Sequence, residues 1–377
     1  MKFTLLITQR CNLACGYCYI GKRDARISLE TASRTIDFIF RTAPPGEPID
    51  LGFFGGEPFL EFDLLKSVTE IVMRHPRYDA ERVEMNVVTN GTILTAEIVD
   101  FLNSRNILYC LSLDGPPHVH DRTRRFADGT GSSSIIEANV RRALAAFPAV
   151  LVNAVYGPET VRHLPEVVEY FSALGLRRIY LNPDVTARWG RADAEALAEH
   201  YGAVGRLYAE YLRRGDPHFI SLIDGKVLVL LRGGYQTIER CHMGTREFAF
   251  TPDGGIYPCE RLIGAGGEEH RIGTVFDGIV AGHRACRRDP GATAQPECAV
   301  CGLSPYCMYW CGCTNHLMTG EYDRVHPFLC ASERASLAAA RELLECMEDE
   351  LKNHFVDHVS GRPMSNVGAR VDPGCRP

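Results

Sequence analysis

Three cysteines, Cys11, Cys15 and Cys18, stand in the stretch "CNLACGYCY", three residues after the apolar run "FTLLI". This CxxxCxxC triplet is one thiolate short of a closed four-cysteine site. The residues alone leave two readings open. One is zinc completed by a distant ligand, since structural zinc sites close tetrahedrally and favour paired CxxC spacings. The other is three corners of a 4Fe-4S cube whose remaining iron binds something exchangeable. A second cysteine region begins at Cys241, and of the 15 cysteines only Cys110 lies between the two regions. Disulfides rarely persist in the cytoplasm, so metal or redox chemistry explains these thiols better than cross-links do.

The cytoplasmic expectation comes from the N-terminus and the composition. "MKFTLLITQRC" lacks the apolar core of a signal peptide, and no stretch reaches the roughly 20 apolar residues needed to span a bilayer. At 377 residues, with 45% hydrophobic and 23% charged residues, the chain reads as a globular protein with one large domain and a smaller one. Its net charge is −6 with no long basic block, which argues against nucleic acid or an anionic membrane as partner. The short cluster "HDRTRR" (120 to 125) could contact a carboxylate or an acidic peptide.

Strand and helix patterns alternate from the start of the chain. "KFTLLI" (2 to 7) precedes a helix over 28 to 43 capped by Ser28, and "IDLGFF" (49 to 54) precedes one from about Asp63. "RVEMNVVT" (82 to 89), "LYCLSL" (108 to 113) and "VLVNAVY" (150 to 156) precede helices from Thr95, Ser133 and Val161, and "RRIYLN" (177 to 182) closes the series. Such a repeat predicts a parallel sheet covered by helices, open or curved into part of a barrel. The loops after the strands are the cysteine loop, "GGEP" (55 to 58), "TNGT" (89 to 92) and "SLDGP" (112 to 116). Each alone is an ordinary turn sequence. Placed at the ends of parallel strands, they converge on one face, where ligands collect in such folds.

With these motifs the chain resembles the radical SAM enzymes, whose hallmark is a CxxxCxxC loop after the first strand of a partial (β/α)6 TIM-like barrel. Cys11, Cys15 and Cys18 match it, with Tyr17 as the aromatic residue before the last cysteine. The resemblance implies that S-adenosylmethionine (SAM) chelates the open iron and is cleaved by one electron to methionine and a 5′-deoxyadenosyl radical. A low-potential donor, flavodoxin or ferredoxin, would supply that electron. Gly55, Gly56 and Glu57 match the motif for the SAM amino group, with the Glu57 carboxylate expected to accept from the ammonium. Ser112 and Asp114 fit ribose or carboxylate contacts. Arg124 is the candidate for the methionine carboxylate, in competition with Arg122, Arg125 and Arg141, and Asn90 either joins the pocket or caps a turn.

The second region follows the seven-cysteine signature of the SPASM extension, found in radical SAM enzymes that modify peptides and proteins. Twelve residues separate Cys241 from Gly254 and four separate that glycine from Cys259; Cys298, Cys301, Cys307 and Cys311 read CxxCxxxxxCxxxC, and Cys330 ends the series. The resemblance implies two auxiliary iron-sulfur clusters, three clusters in all. Cys298, Cys301, Cys307 and Cys330 would hold the distal one, and Cys241, Cys259 and Cys311 the proximal one. The sulfatase-maturing branch carries an eighth cysteine six residues before the first, where this chain has Tyr235. The proximal cluster is therefore open, or closed by Cys313 or Cys286, or of another type. A pair of zinc knuckles is the alternative for this region. Cys110 is expected in the core, Cys346 on an amphipathic helix from about Ser332, and Cys375 in a Gly/Pro-containing tail.

The expected organisation is a radical SAM barrel over 1–190, a helical bridge over 191–235, a cysteine-rich SPASM domain over 236–335, and a C-terminal helix and tail over 336–377. The resemblance implies a peptide or protein substrate, with thioether or other crosslink formation, or oxidation, as the reaction. Formylglycine formation, as in anaerobic sulfatase maturation, is the alternative, with Glu260 at the position of the base; the side chain is longer than the aspartate found there, and an exposed carboxylate is the competing reading. Because the chain opens on the first barrel strand, no leader-binding domain is expected before it; either the barrel and SPASM surfaces hold the substrate or a separate small protein presents it. An iron-sulfur electron carrier is the alternative from another class, but it needs neither "GGEP" nor an open three-cysteine site.

Overall fold

The computed structural model describes residues 1–264, 267–280, 295–347 and 352; Cys286 and Cys375 lie outside the described residues. Among the described residues, eleven strands form one sheet. They are β1 (Lys2–Thr8), β2 (Ile49–Gly55), β3 (Val83–Thr89), β4 (Ile107–Ser112), β5 (Val150–Tyr156), β6 (Arg178–Pro183), β7 (Phe219–Ile220), β8 (Glu247–Phe250), β9 (Gly255–Tyr257), β10 (Gly273–Thr274) and β11 (Gly278–Ile279). Their order is β11-β10-β9-β8-β1-β2-β3-β4-β5-β6-β7, so the sheet has two ends and does not close. The run from β1 to β7 is parallel throughout. This is the α/β partial barrel expected of the sequence.

Period-two alternation explains how the sheet separates core from cavity. In β2, Ile49, Leu51 and Phe53 are buried in the hydrophobic core, while Asp50, Gly52 and Phe54 line the concave face. In β3 the same split puts Val83, Met85 and Val87 in the core and Glu84, Asn86 and Val88 on the concave face. In β4, Leu108, Cys110 and Ser112 take the concave register. Cys110 is thus buried but faces the cavity rather than the hydrophobic core.

The helix Leu29–Thr42 begins where expected, with Ser28 accepting from the Thr31 N–H, and Thr95 caps Ala96–Ser104 through the Ile98 N–H. The helices Arg191–Arg213 and Pro327–Cys346 pack against one another, with Gly205 facing Ala339 and Trp189 stacked on Phe328 at 3.9 Å. Residues 191–235 thus serve packing and carry the short strand β7.

The cysteine-rich part joins the same sheet. β8 pairs in parallel with β1 over four residue pairs, Lys2↔Glu247 to Leu5↔Phe250, and β9, β10 and β11 extend it antiparallel. These strands have two to four residues, too short for alternation to register in the sequence.

Candidate active site

A cavity of about 610 Å³ fills the concave side of the sheet. Cys11, Cys15, Tyr17 and Cys18 line it from the loop after β1. Gly55 and Gly56 line it from the end of β2, and Ser112, Arg124, Glu260 and Arg261 complete its polar wall.

The two glycines are required by the chain itself. A Cβ at Gly55, whose φ is +136°, would lie 2.1 Å from the Thr8 carbonyl oxygen, and one at Gly56 would lie 2.1 Å from that of Arg10. Through this close approach the Gly56 N–H donates to Thr8 O and the Glu57 N–H to Arg10 O, both at 2.8 Å. The end of β2 is thereby fastened beneath the cysteine loop.

Glu57 does not line the cavity. It is fully buried, and its carboxylate accepts from the Phe59 N–H (3.0 Å), the Thr89 hydroxyl (2.9 Å) and the Asn90 N–H (2.7 Å). Burial pushes its pKa up to about 7 against the pull of these three bonds. The expected contact from its carboxylate to an ammonium therefore differs from the geometry: Glu57 ties the loops after β2 and β3 together. Asn90 both lines the cavity and makes a turn, accepting from the Thr92 N–H at 3.0 Å while its amide donates to Asn12 Oδ1 at 2.8 Å. The same amide approaches Cys11 Sγ at 3.7 Å.

Asp114 is likewise withdrawn behind the wall and 3% exposed. One oxygen accepts from the Val155 N–H (2.9 Å), the other from the Tyr17 hydroxyl (2.6 Å) and the Thr123 hydroxyl (3.2 Å). Arg124 Nε stands 3.0 Å from Asp114 Oδ1 as an ion pair without an aligned hydrogen bond. Its guanidinium lies 5.2 Å from the Tyr17 ring centroid and 4.0 Å from Cys15 Sγ. Burial opposes the charge of Arg124, but Asp114, Tyr17 and Cys15 beside it raise its pKa. Of the four arginines in competition only Arg124 lines the cavity; Arg122 pairs with Glu159, Arg141 with Glu137, and Arg125 donates to the Asp121 carbonyl. His120, not foreseen in the sequence, accepts from the Asp114 N–H at 3.1 Å and contacts the Ser132 hydroxyl at 2.9 Å. Burial drives its pKa down to about 4, so the ring stays neutral and positions Asp114.

On the other flank, Cys311 Sγ lies 3.8 Å from Cys313 Sγ, and the Cys313 thiol is near enough to Cys259 to bear on its ionisation. Cys241 feels the charge of Cys311, and burial pushes its thiol up to about 12. Cys313 beside it favours a Cys259 thiolate, yet burial, Glu260 and Glu247 push that thiol up to about 12 as well. Buried thiols of this kind lose their protons readily only to a metal. Arg261 reaches from the cavity wall to this group: burial opposes its charge, and Cys313, Cys311 and Cys259 raise its pKa. Its Nη1 donates to the Thr314 hydroxyl at 3.0 Å. Tyr235, at the position of the eighth cysteine, turns instead to Lys226, which donates to its hydroxyl at 3.3 Å, and its ring meets Trp310 edge-on. Cys330, and less strongly Cys301 and Cys307, raise the pKa of Arg334.

Glu260 shares Lys2 with Glu247, at 3.4 Å and 3.2 Å respectively. Burial opposes its ionisation, but Lys2 and Arg261 hold it as carboxylate below the ordinary range, and Glu247 is the member of the pair pushed up. Gly264, shortly after, is pressed on the cysteine loop: a Cβ there would lie 1.6 Å from the Tyr19 carbonyl oxygen.

Residues 5–171 match the model of the Radical SAM superfamily. A cysteine-type anaerobic sulfatase-maturating enzyme of Clostridium perfringens is 23% identical over 286 residues, 71% of this chain and 75% of the relative. A serine-type counterpart from Klebsiella aerogenes is 23% identical over 331 residues, 84% and 80% of the two chains. Among solved structures, anSMEcpe with bound AdoMet and a peptide matches with a TM-score of 0.78 at 19% identity, covering 94% of this chain and 99% of the other. Streptococcus suis SuiB bound to its precursor peptide SuiA matches with a TM-score of 0.59 at 17% identity, covering 86% and 75%. Among the described residues no helix is long and apolar enough to cross a membrane.

Proposed function

Residues 5–171 match the Radical SAM superfamily, and on that premise we propose that this chain is a radical SAM enzyme that modifies a ribosomally made peptide or protein. One observation carries the reading: a single cavity is bounded by Cys11, Cys15 and Cys18 on one side and by Glu260 and Arg261, the neighbours of a second thiol group, on the other. The peptides bound by anSMEcpe and SuiB support it.

The donor set fits the cofactors. Cys11, Cys15 and Cys18 would hold a 4Fe-4S cluster with one iron left for SAM. When bound, the pair supplies a 5′-deoxyadenosyl radical that takes a hydrogen atom from substrate. Arg124, buried and held through its Nε by Asp114, lines the cavity beside Cys15 and offers its guanidinium to a carboxylate. Ser112 offers a hydroxyl on the same wall. Tyr17 and His120 hold Asp114, and Asp114 holds Arg124, so the cation keeps its place without a ligand.

Cys241, Cys259, Cys311 and Cys313 would hold the proximal auxiliary cluster as a closed four-thiolate set, and Cys298, Cys301, Cys307 and Cys330 the distal one. A closed proximal set leaves no position there for a substrate thiolate, which favours outer-sphere electron acceptance over thioether formation at that iron. Glu260, ionised beside Lys2, is the group that would accept a substrate proton. A low-potential flavodoxin or ferredoxin would deliver electrons, and a separate leader-binding protein could present the peptide.

The test is anaerobic incubation of the iron-replete protein with dithionite, SAM and the peptides encoded by reading frames beside its own. Release of 5′-deoxyadenosine together with a mass change in one peptide is expected. Release of 5′-deoxyadenosine with every peptide unaltered would overturn the peptide-modifying reading.

A further inference from the structure

A group of ligand atoms with no sulfur in it lies outside the cavity. Glu269 and His270 end the short turn Gly267–His270, and His316 lies on the helix Gly312–Thr319. One carboxylate oxygen and one nitrogen from each ring all lie within 4.8 Å of one another. We propose that Glu269, His270 and His316 form a mononuclear site for a divalent ion of the zinc type, with no cysteine of the described residues among its ligands.

The orientation of the rings supports it. His270 Nδ1 and the Tyr322 hydroxyl are 2.9 Å apart, and His270 Nε2 is 3.2 Å from Glu269 Oε1. One ring nitrogen is thus fixed by an outer partner and the other presented with the carboxylate, the arrangement that orients metal-binding histidines. The spacing of 3.2 Å suits two ligands on one tetrahedral ion, whose bonds are about 2.0–2.2 Å. His316 Nδ1 is buried with no hydrogen-bond partner among the described residues. The His316 ring meets His270 edge-on at 4.6 Å and stacks on Tyr322 at 4.6 Å, so Tyr322 braces both imidazoles.

Two imidazoles and a carboxylate suit zinc among the divalent ions, because its filled shell imposes no geometry and tolerates a three-ligand site open to solvent. Glu269, 64% exposed, leaves that open side. Function follows from position. Cys313 lies one turn before His316 on the same helix, so an ion here would staple the turn 267–270 to the element carrying the proximal thiols.

Two other groups are weaker. His118, His163 and Glu166 come together, but on the surface, where Glu166 already pairs with both rings. Glu247, Cys259 and Glu260 belong to the active site and hold Lys2.

The experiment adds zinc alone to the cluster-replete protein, measures its affinity by calorimetry, and reads the ligands by zinc-edge X-ray absorption. One tight zinc per chain is expected, with a first shell at about 2.0–2.1 Å from nitrogen and oxygen and no sulfur at about 2.3 Å. Glu269→Gln and His316→Asn should each weaken it at least tenfold, within the roughly 10–100-fold or larger losses typical of ligand and outer-shell changes; His163→Gln should leave it unchanged. Glu269 is exposed, so Glu269→Gln tests the site even if His316→Asn fails to fold. No zinc uptake, a sulfur shell, or unchanged affinity in Glu269→Gln would overturn the proposal.

Discussion

Cys313 Sγ lies 3.8 Å from Cys311 Sγ, so a fourth thiol stands beside the proximal set. Cys313→Ala should lose the iron of one auxiliary cluster, about four atoms per chain if it is a 4Fe-4S cube. Cys286→Ala should keep its full iron. Iron counting on the reconstituted variants checks both, and full iron in Cys313→Ala would return the proximal cluster to an open form.

Gly56→Ala should damage the first cluster selectively. Its Cβ would meet the Arg10 carbonyl at 2.1 Å, and backbone cannot yield there without moving Cys11. The variant should lose about four irons and all 5′-deoxyadenosine formation while the auxiliary absorption remains. Equal loss across all clusters would mean general misfolding instead.

Tyr17→Phe removes a 2.6 Å hydrogen bond to a buried carboxylate and keeps the ring against Arg124. A cost of about 1.5–3 kcal/mol is expected in denaturant unfolding, in the range for hydrogen bonds to charged groups. The KM for SAM should rise more than kcat falls, because Asp114, the counter-ion of Arg124, loses one of the groups that hold it.

Glu57 sets a pH dependence. Its folded pKa of about 7 lies above the ordinary 4.5, so folding favours the protonated form. Stability from this group is full below about 4.5, falls as pH rises, and levels off beyond 7. The span is on the order of 3 kcal/mol. Glu57→Gln should flatten that slope in thermal unfolding followed from pH 5 to 8.

Glu260→Gln should separate proton acceptance from radical formation. Lys2 keeps Glu247 as partner, so the wall survives. 5′-Deoxyadenosine release should continue, while peptide product falls by about 10²–10⁴-fold, the usual contribution of a positioned base. An unchanged product yield would make Glu260 a structural carboxylate.

The barrel was legible because its signals are long. Six strands of six or seven residues alternate cleanly enough to announce their faces, and Ser28 and Thr95 mark helix starts. The cysteine loop and "GGEP" were legible as motifs, but not what their side chains touch. Glu57 and Asp114 read as ligand contacts; both are turned inward to hold backbone N–H groups and hydroxyls, because a buried carboxylate must satisfy its lone pairs. Lys2, Arg261 and His120 carried no signal, since their partners lie far along the chain or in loops of no fixed period. The strands after residue 246 were missed for want of length. Cys313 could be found only as an extra thiol, because nothing in the spacing says which side of a helix start it occupies.

The ladder between β1 and β8 bears on how a substrate gets in. Four parallel residue pairs, with Gly264 seated on Tyr19, weld the two thiol-bearing parts into one wall. Prising them apart would tear backbone pairing out of the middle of an eleven-stranded sheet. On the proposed peptide-modifying reading, a folded protein would have no clamshell to enter. It would have to offer a loose thread, a terminus or an unfolded stretch, which would tie the timing of modification to the substrate's own folding.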